Sequence, residues 1–179
     1  LREIEASGFQ VLHQRIALTL ERLHGGQPDW LAALAYHFQA ARAALGTPVA
    51  AKALEYTTRA GQHAEATLAH EEAGRLYESA LQLVEPGNDA ARCALLLAAG
   101  EIHIKAGDHE AAIERFNEVA QLARRQHDPA SLARAALGYE TAAWRGSGSG
   151  VVAAALLKEA IAANSPLDSV LRARLLAAL

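Results

Sequence analysis

Three glycines that recur at nearly equal spacing constrain the fold of this chain most. Gly61, Gly100 and Gly138 lie 39 residues (61 to 100) and 38 residues (100 to 138) apart. After each glycine comes a second stretch with a small residue and then a large one four positions later. These sets are Ala73/Tyr77/Ala80, Ala112/Phe116/Val119 and, only if the 146–150 loop adds residues, Ala153/Leu157/Ala160. A period of this length predicts stacked pairs of helices, because one helix pair cannot bury its apolar face alone.

The stretch 99–120 shows the repeat most clearly. Its first helix is predicted to end at Gly107, since glycine adopts the positive φ that a helix end often needs. Asp108 then caps the next helix, with Glu110 in the first turn. Phe116 can fill the space where small residues let two helices approach. This is the pattern of a tetratricopeptide (TPR) hairpin, and longer helices or turns account for a period above the usual length of about 34 residues.

Composition supports an all-α fold and limits the choice of partners. Hydrophobic residues make up 51% of the 179 residues and aromatic ones 5%, with Ala and Leu, both strong helix formers, dominant. We therefore predict an all-α fold, an α-α superhelix or TPR-like solenoid of about nine helices. The net charge of -3 gives no electrostatic drive toward nucleic acid or an anionic membrane. The one cysteine excludes an internal disulfide and is compatible with the cytoplasm.

Breaks at Gly, Pro and Asn divide the chain. We predict degenerate helical hairpins in 1–68 and three TPR-like repeats in 54–163, namely 54–86, 93–126 and 131–163. The first helix of a further repeat occupies 167–179. The nine predicted helices, after a frayed lead-in up to Phe9, are 9–23, 30–45, 49–68, 70–84, 88–106, 108–126, 129–145, 151–163 and 167–179. No Met is present and Leu1 lies in a helical approach segment, so we expect a piece of a longer protein.

No catalytic or metal-binding constellation is visible, so we predict no enzyme activity, no cofactor and no metal. The eight histidines form no His-Glu-x-x-His motif, and one cysteine cannot build a thiolate site. The glycine-rich stretch 146–150 lacks the Gly-Lys-Ser/Thr ending of a phosphate-binding loop and is expected to be a flexible turn. Cys93 is expected to be an inert core thiol, and His103 a packed interface residue.

A concave surface is the remaining candidate site. In a stack of helical hairpins the first helix of each pair lines this groove. Counted from the repeated glycines, the candidate groove residues are Arg59 and Gln62 in the first repeat, Leu97, Glu101, Ile104 and Lys105 in the second, and Tyr139 in the third. An apolar groove suits a partner helix or peptide. The alternative is that neighbouring domains of the same parent chain cover it.

The packing motifs together resemble a known family. They are Leu12-His13-Gln14-Arg15-Ile16-Ala17, Leu34-Ala35-Tyr36-His37-Phe38, Lys52-Ala53-Leu54-Glu55-Tyr56, Glu71-Glu72-Ala73 with Leu76-Tyr77-Glu78-Ser79-Ala80-Leu81, and Leu132-Ala133-Arg134-Ala135-Ala136-Leu137-Gly138. The chain is similar to the TPR-like helical region of large bacterial LuxR-type ATP-binding transcriptional regulators and related multidomain (STAND-type) signalling ATPases. In that family the ATPase lies N-terminal and a DNA-binding helix-turn-helix often lies C-terminal. Neither motif set occurs in this sequence.

The resemblance implies a non-catalytic protein-interaction or sensor scaffold of a bacterial signal-transduction ATPase or transcriptional regulator, located in the cytoplasm. Its partner would be a protein or peptide, including other domains of the same parent chain, with no nucleic acid or membrane bound by this part. Two alternatives stay open: a stand-alone TPR adaptor that binds a partner peptide, and an inducer-binding domain for a small molecule. The sequence does not indicate an oligomeric state.

Overall fold

The computed structural model describes residues 2–45, 47–146, 148–163 and 169–179, and it confirms the predicted all-α class. Within these ranges there are nine α-helices and no β-strand. A single 3-10 turn, Pro28–Trp30, precedes the second helix. The helices are α1 Arg2–His24, α2 Leu31–Leu45, α3 Thr47–Ala66, α4 His70–Leu81, α5 Asp89–Ala106, α6 His109–Gln126, α7 Pro129–Arg145, α8 Gly150–Ala162 and α9 Ser169–Ala178.

The chain divides into two units, Leu1–Glu85 and Pro86–Leu179. In the first unit, α1 packs on α2, α2 on α3 and α3 on α4, so each helix pairs with the next, as in an α-solenoid. Small and large apolar residues alternate in its core. Fully buried Leu34 and Phe38 lie among Ala17, Ala41 and Ala53. The alanines bring the helix axes close, and the larger side chains fill the space that is left.

A polar network joins α1 to α3 in the first unit. Glu21 accepts a hydrogen bond of 2.9 Å from the Tyr56 hydroxyl and forms an ion pair with Lys52. The Tyr56 ring stacks on Phe38, with centroids 5.3 Å apart. Burial, and then the hydrogen bond to the Glu21 carboxylate, raise the pKa of Tyr56 to about 12. The phenol therefore stays a hydrogen-bond donor throughout the neutral range.

In the second unit each helix from α5 to α8 packs on the next, and α7 also contacts α5 and α9. The turns carry the predicted capping chemistry. Gly107 has φ +84° and ends α5, while the Asp108 side chain accepts a 3.1 Å hydrogen bond from the Ala111 amide at the start of α6. The predicted helix end at Gly107 and the predicted cap at Asp108 are confirmed. Asn88 and Asp128 cap α5 and α7 in the same way.

Phe116 of α6 fits between two of the repeated glycines. A Cβ added at Gly100 would lie 2.8 Å from the Phe116 ring, and one added at Gly138 would lie 2.3 Å from it. In the first unit a Cβ at Gly61 would lie 3.0 Å from the Tyr77 ring. The repeated glycines therefore make room for an aromatic ring. The side chain nearest to a Cβ at Gly138 is the Phe116 ring. The repeat pattern would instead place the Leu157 side chain there.

Several predicted helix ends differ from the structure. Residues 2–9, expected to fray, belong to α1, and α4 ends at Leu81 rather than near Val84. Helix α3 ends at Ala66 because Leu68 takes the left-handed conformation, with φ +61°. The predicted break at 164–166 and the first residues of the last predicted helix lie outside the described residues.

Gly146 and Gly148 satisfy a packing requirement, whereas a Cβ added at Gly150 would meet nothing within 4 Å. A Cβ added at Gly146 would lie 2.7 Å from Cβ of His109, and one at Gly148 would lie 2.6 Å from Cα of Ala143. Both distances are shorter than real Cβ contacts, so a side chain at either position would force the backbone to shift. The predicted flexibility of this stretch stays a prediction, and Gly146 and Gly148 in addition permit close approach.

Candidate functional site

A cleft of about 960 Å³ lies within the second unit, on the face formed by α5, α7 and α9. Hereafter this feature is the cleft. The three helices contribute residues at helical spacing, so one face of each is turned toward the same space. The lining residues are Glu101, Ile104 and Lys105 of α5, Phe116 of α6, Pro129, Ala130, Arg134, Leu137, Gly138 and Thr141 of α7, and Val170, Leu171 and Arg174 of α9.

The lining separates by depth into apolar and charged groups. The half-buried side chains of Ile104, Leu137 and Leu171 are apolar, and the Phe116 ring beside them is buried. The charged residues of the lining are exposed. A ligand in the cleft would therefore meet apolar surface at depth and charged groups at the opening, which is the usual composition of a protein binding site.

Helix α7 is anchored where it borders the cleft. The Asp128 carboxylate accepts hydrogen bonds from the amides of Ala130 (3.0 Å) and Ser131 (3.1 Å). The pKa of Asp128 is lowered, chiefly by a side-chain hydrogen bond with Ser131, then by the backbone amides and least by the charge of Arg134. Because the ionised carboxylate is the better cap, the first turn of α7 is held most firmly at neutral pH.

The structure brings together three of the seven predicted groove residues. Glu101, Ile104 and Lys105 all line the cleft. Leu97 and Tyr139 do not, since they are buried at 7% and 5% exposure and supply no accessible surface to a ligand.

The other two predicted residues, Arg59 and Gln62, belong to the first unit. Arg59 donates to the Gly25 carbonyl (3.1 Å), pairs with Glu55 and lies over the Tyr56 ring. These contacts hold the connection that follows α1, which is a structural role. Gln62 is exposed on α3.

The α7 residues that line the cleft differ from the one predicted for the groove. Tyr139 is buried, whereas Arg134, Leu137 and Thr141 line the cleft. Counted from its own repeated glycine, the set of α7 residues that line the cleft is shifted by about one residue compared with the set in α5. A shift of one residue corresponds to about 100° of rotation about the helix axis. The exposed Arg134, in an otherwise apolar stretch, was the available signal for the correct face. The α9 residues of the cleft were not predicted, because α9 has no repeated glycine from which its groove-lining positions could be counted.

A smaller cavity of about 460 Å³ lies where α6, α7 and α8 meet, and an ion pair spans it. Arg124 Nε and Nη2 donate to the two carboxylate oxygens of Glu159 at 2.6 and 2.5 Å. This two-pronged hydrogen bonding lowers the pKa of Glu159 and raises that of Arg124. The pair ties α6 to α8, so we assign it a structural function.

Two histidines meet between α1 and α2 of the first unit. The Nδ1 atoms of His13 and His37 lie 3.0 Å apart, with the rings of Phe9 and Tyr36 beside His13. One nitrogen must donate and the other accept at this distance. Burial and the neighbouring His13 lower the pKa of His37, which favours the neutral form of the His37 ring. The contact serves to pack the two helices.

The remaining expectations concern metal, cysteine and membrane. Within the described residues no three side chains of the His, Cys, Asp or Glu type come close enough to hold a metal ion. Cys93 is buried, which confirms the prediction that it belongs to the core. Among the helices of the described ranges, none combines the length and the apolar character needed to cross a bilayer.

Comparison with known proteins adds no family: no family model matches the chain, and no curated protein matches it significantly. The cleft and the sequence resemblance are therefore the two grounds for a functional assignment.

Proposed function

We propose that this chain is a non-catalytic interaction module and that the cleft holds a segment of a partner protein. The observation that carries the proposal is the convergence of α5, α7 and α9 on one cleft with apolar depth and a charged opening. A groove between helix faces suits an amphipathic helix or a short extended segment, whose apolar side chains enter while its polar ones stay at the edge.

The resemblance to the helical region of bacterial signalling ATPases and LuxR-type regulators supplies the biological setting of this proposal. There the module would act in the cytoplasm as a TPR-like scaffold, and the bound segment would come from a separate protein or from another domain of the parent chain. Occupation of the cleft would then bias the state of the attached ATPase, provided that the segment binds one state more tightly than the other.

A small inducer is the second candidate ligand, because the volume of the cleft is compatible with a small-molecule site. A volume of about 960 Å³ falls at the upper end of the range of about 300–1,000 Å³ found for small-molecule sites. A small molecule would fill only part of the cleft and would leave much of the surface of α9 uncovered. A peptide segment would reach all three helices, so we place it first.

Peptide selection with a blocked cleft tests the proposal. A displayed library of short peptides is panned on the purified chain, and the affinity of each enriched peptide is measured by fluorescence anisotropy. Ala130 is exposed and lines the cleft, so Ala130→Trp fills it from the opening without entering the core. Ala155 is equally exposed on α8 but does not line the cleft, so Ala155→Trp is the matched control.

We expect Ala130→Trp to weaken peptide binding by about tenfold or more, equivalent to about 1.4 kcal/mol, and Ala155→Trp to leave it unchanged. If no peptide is enriched, or if the enriched peptides bind both variants equally well, the cleft is not an interaction site. An inducer in place of a peptide would show as enrichment from a metabolite mixture that Ala130→Trp abolishes.

A further inference from the structure

We propose that the segment held in the cleft is acidic as well as apolar, so that its carboxylates meet the cations at the opening. This inference rests on the proposed interaction function and specifies the partner. Among the described residues, the lining contains three basic residues, Lys105, Arg134 and Arg174, and one acidic residue, Glu101. The described lining therefore carries more positive than negative charge, on a chain whose net charge is -3.

The three cations come from three different helices. Lys105 belongs to α5, Arg134 to α7 and Arg174 to α9, so positive charge borders the cleft on each of its three helical sides. A ligand that runs across all three helices would pass each cation in turn. A single basic helix face would offer charge on one side only. The arrangement thus favours an elongated ligand with several negative charges over a compact ion with one.

The two arginines of the cleft differ in their surroundings. Both are exposed, but the charge of Arg134 acts on the Asp128 carboxylate and lowers its pKa, whereas Arg174 forms no ion pair with another described residue. In the same unit Arg92, Arg115 and Arg124 do pair with glutamates, at Glu118 and Glu159. Guanidinium groups bind carboxylates through two parallel hydrogen bonds, which makes unpaired arginines effective recognition groups for acidic side chains.

The apolar depth of the cleft selects a peptide among anionic ligands. Ile104, Leu137 and Leu171 would bury apolar side chains of the segment, and each buried methylene adds about 0.8 kcal/mol of hydrophobic stabilisation. Nucleic acid would leave this surface unused, and its binding needs an extended basic face, which a chain of net charge -3 lacks. The expected partner is thus a segment in which Asp or Glu accompanies Leu, Ile or Val.

The test compares peptides selected by chains that differ in one charge. Arg174→Glu reverses a cation of the cleft, and Arg172→Glu reverses an exposed cation on the same helix that does not line it. The library is panned on the parent chain and on both variants, and only peptides whose binding is lost with Ala130→Trp are counted. The fraction of Asp and Glu in these peptides is the measured quantity.

We expect the parent chain and Arg172→Glu to enrich acidic peptides with apolar residues, and Arg174→Glu to lose that enrichment. One representative acidic peptide should bind Arg174→Glu about tenfold more weakly than the parent, and less tightly as salt rises. Circular dichroism should show that both variants keep their helices.

Three results would overturn the inference while the proposed function stands. Neutral or basic peptides that still require the open cleft would show an interaction site without acidic preference, as would equal losses for Arg174→Glu and Arg172→Glu. Displacement of the bound acidic peptide by an equimolar single-stranded DNA oligonucleotide would assign the cations to nucleic acid. Absence of any peptide that depends on the cleft would refute the proposed function itself.

Discussion

At the scale of single residues, Phe116 and the glycines around it determine how closely the helices of the second unit approach. The ring is buried at 1% exposure and touches the backbone at both Gly100 and Gly138. Removing it leaves a cavity, and we expect Phe116→Ala to cost about 3–5 kcal/mol of unfolding free energy. The same ring limits what can replace the glycines.

A pair of identical substitutions tests this packing. Gly138→Ala places a Cβ 2.3 Å from the Phe116 ring, so it should lower the unfolding free energy by about 1–3 kcal/mol. Gly8→Ala in α1 meets nothing within 4 Å and should raise it by about 0.5–1 kcal/mol, because alanine favours the helix. Urea denaturation followed by circular dichroism measures both. Equal and favourable effects at the two positions would show that the ring does not need Gly138.

The cap of α7 leads to a pH-dependent prediction. The folded-state pKa of Asp128 lies below its ordinary value of 3.8, so its contribution is complete above that value and is lost as the pH falls through the lowered pKa. Asp128→Ala should cost about 1 kcal/mol near neutral pH. The difference between the parent and Asp128→Ala should shrink in acid, whereas that between Asp128→Asn and Asp128→Ala should not. Unfolding curves at neutral and acidic pH provide the comparison, and a parent difference that persists in acid would exclude a role for the ionised carboxylate.

At the scale of the helix and its turns, local chemistry was enough to predict most boundaries. Asp108 caps the helix for which it was expected, because a cap depends only on the next two or three amides, and Asn88 and Asp128 cap α5 and α7 by the same means. The end of α3 was misplaced since Leu68 adopts a left-handed backbone conformation without the glycine that usually signals it. Local sequence thus specifies a turn well when a special residue marks it.

The ion pair between Arg124 of α6 and Glu159 of α8 can be measured by a double-mutant cycle. In a double-mutant cycle of Arg124→Ala and Glu159→Ala, we expect a coupling energy of up to about 1 kcal/mol at low salt, since both side chains are partly exposed. High salt should reduce it by screening. A cycle of the exposed neighbour Arg125→Ala with Glu159→Ala is the control and should show no coupling. Equal coupling in the two cycles would mean that the pair adds no specific contact.

At the scale of the whole molecule, composition and the glycine period were enough to predict an all-α fold of about nine helices. They could not show which helix faces form a site. Of the predicted groove residues, Glu101, Ile104 and Lys105 line the cleft, whereas Leu97 and Tyr139 are buried. The cleft depends on how α7 rotates against α5 and on where α9 packs. Those are tertiary effects that one sequence period does not encode.

Charge is the molecular property that distinguishes the proposed site from the rest of the surface. The chain as a whole is weakly acidic, while the described residues that line the cleft include three basic residues against one acidic residue. Such a contrast raises the local concentration of acidic segments near the cleft.

The most direct measurement of the central claim is a map of where a bound segment lies. Backbone amide signals of the isotopically labelled chain are followed by NMR while a selected peptide is added. Changes should concentrate at residues 101–105 of α5, 130–141 of α7 and 170–174 of α9, and the Ala130→Trp chain should show none of them. Changes confined to α1–α4, or to the α6 and α8 residues that do not line the cleft, would contradict the assignment of the cleft as the interaction site.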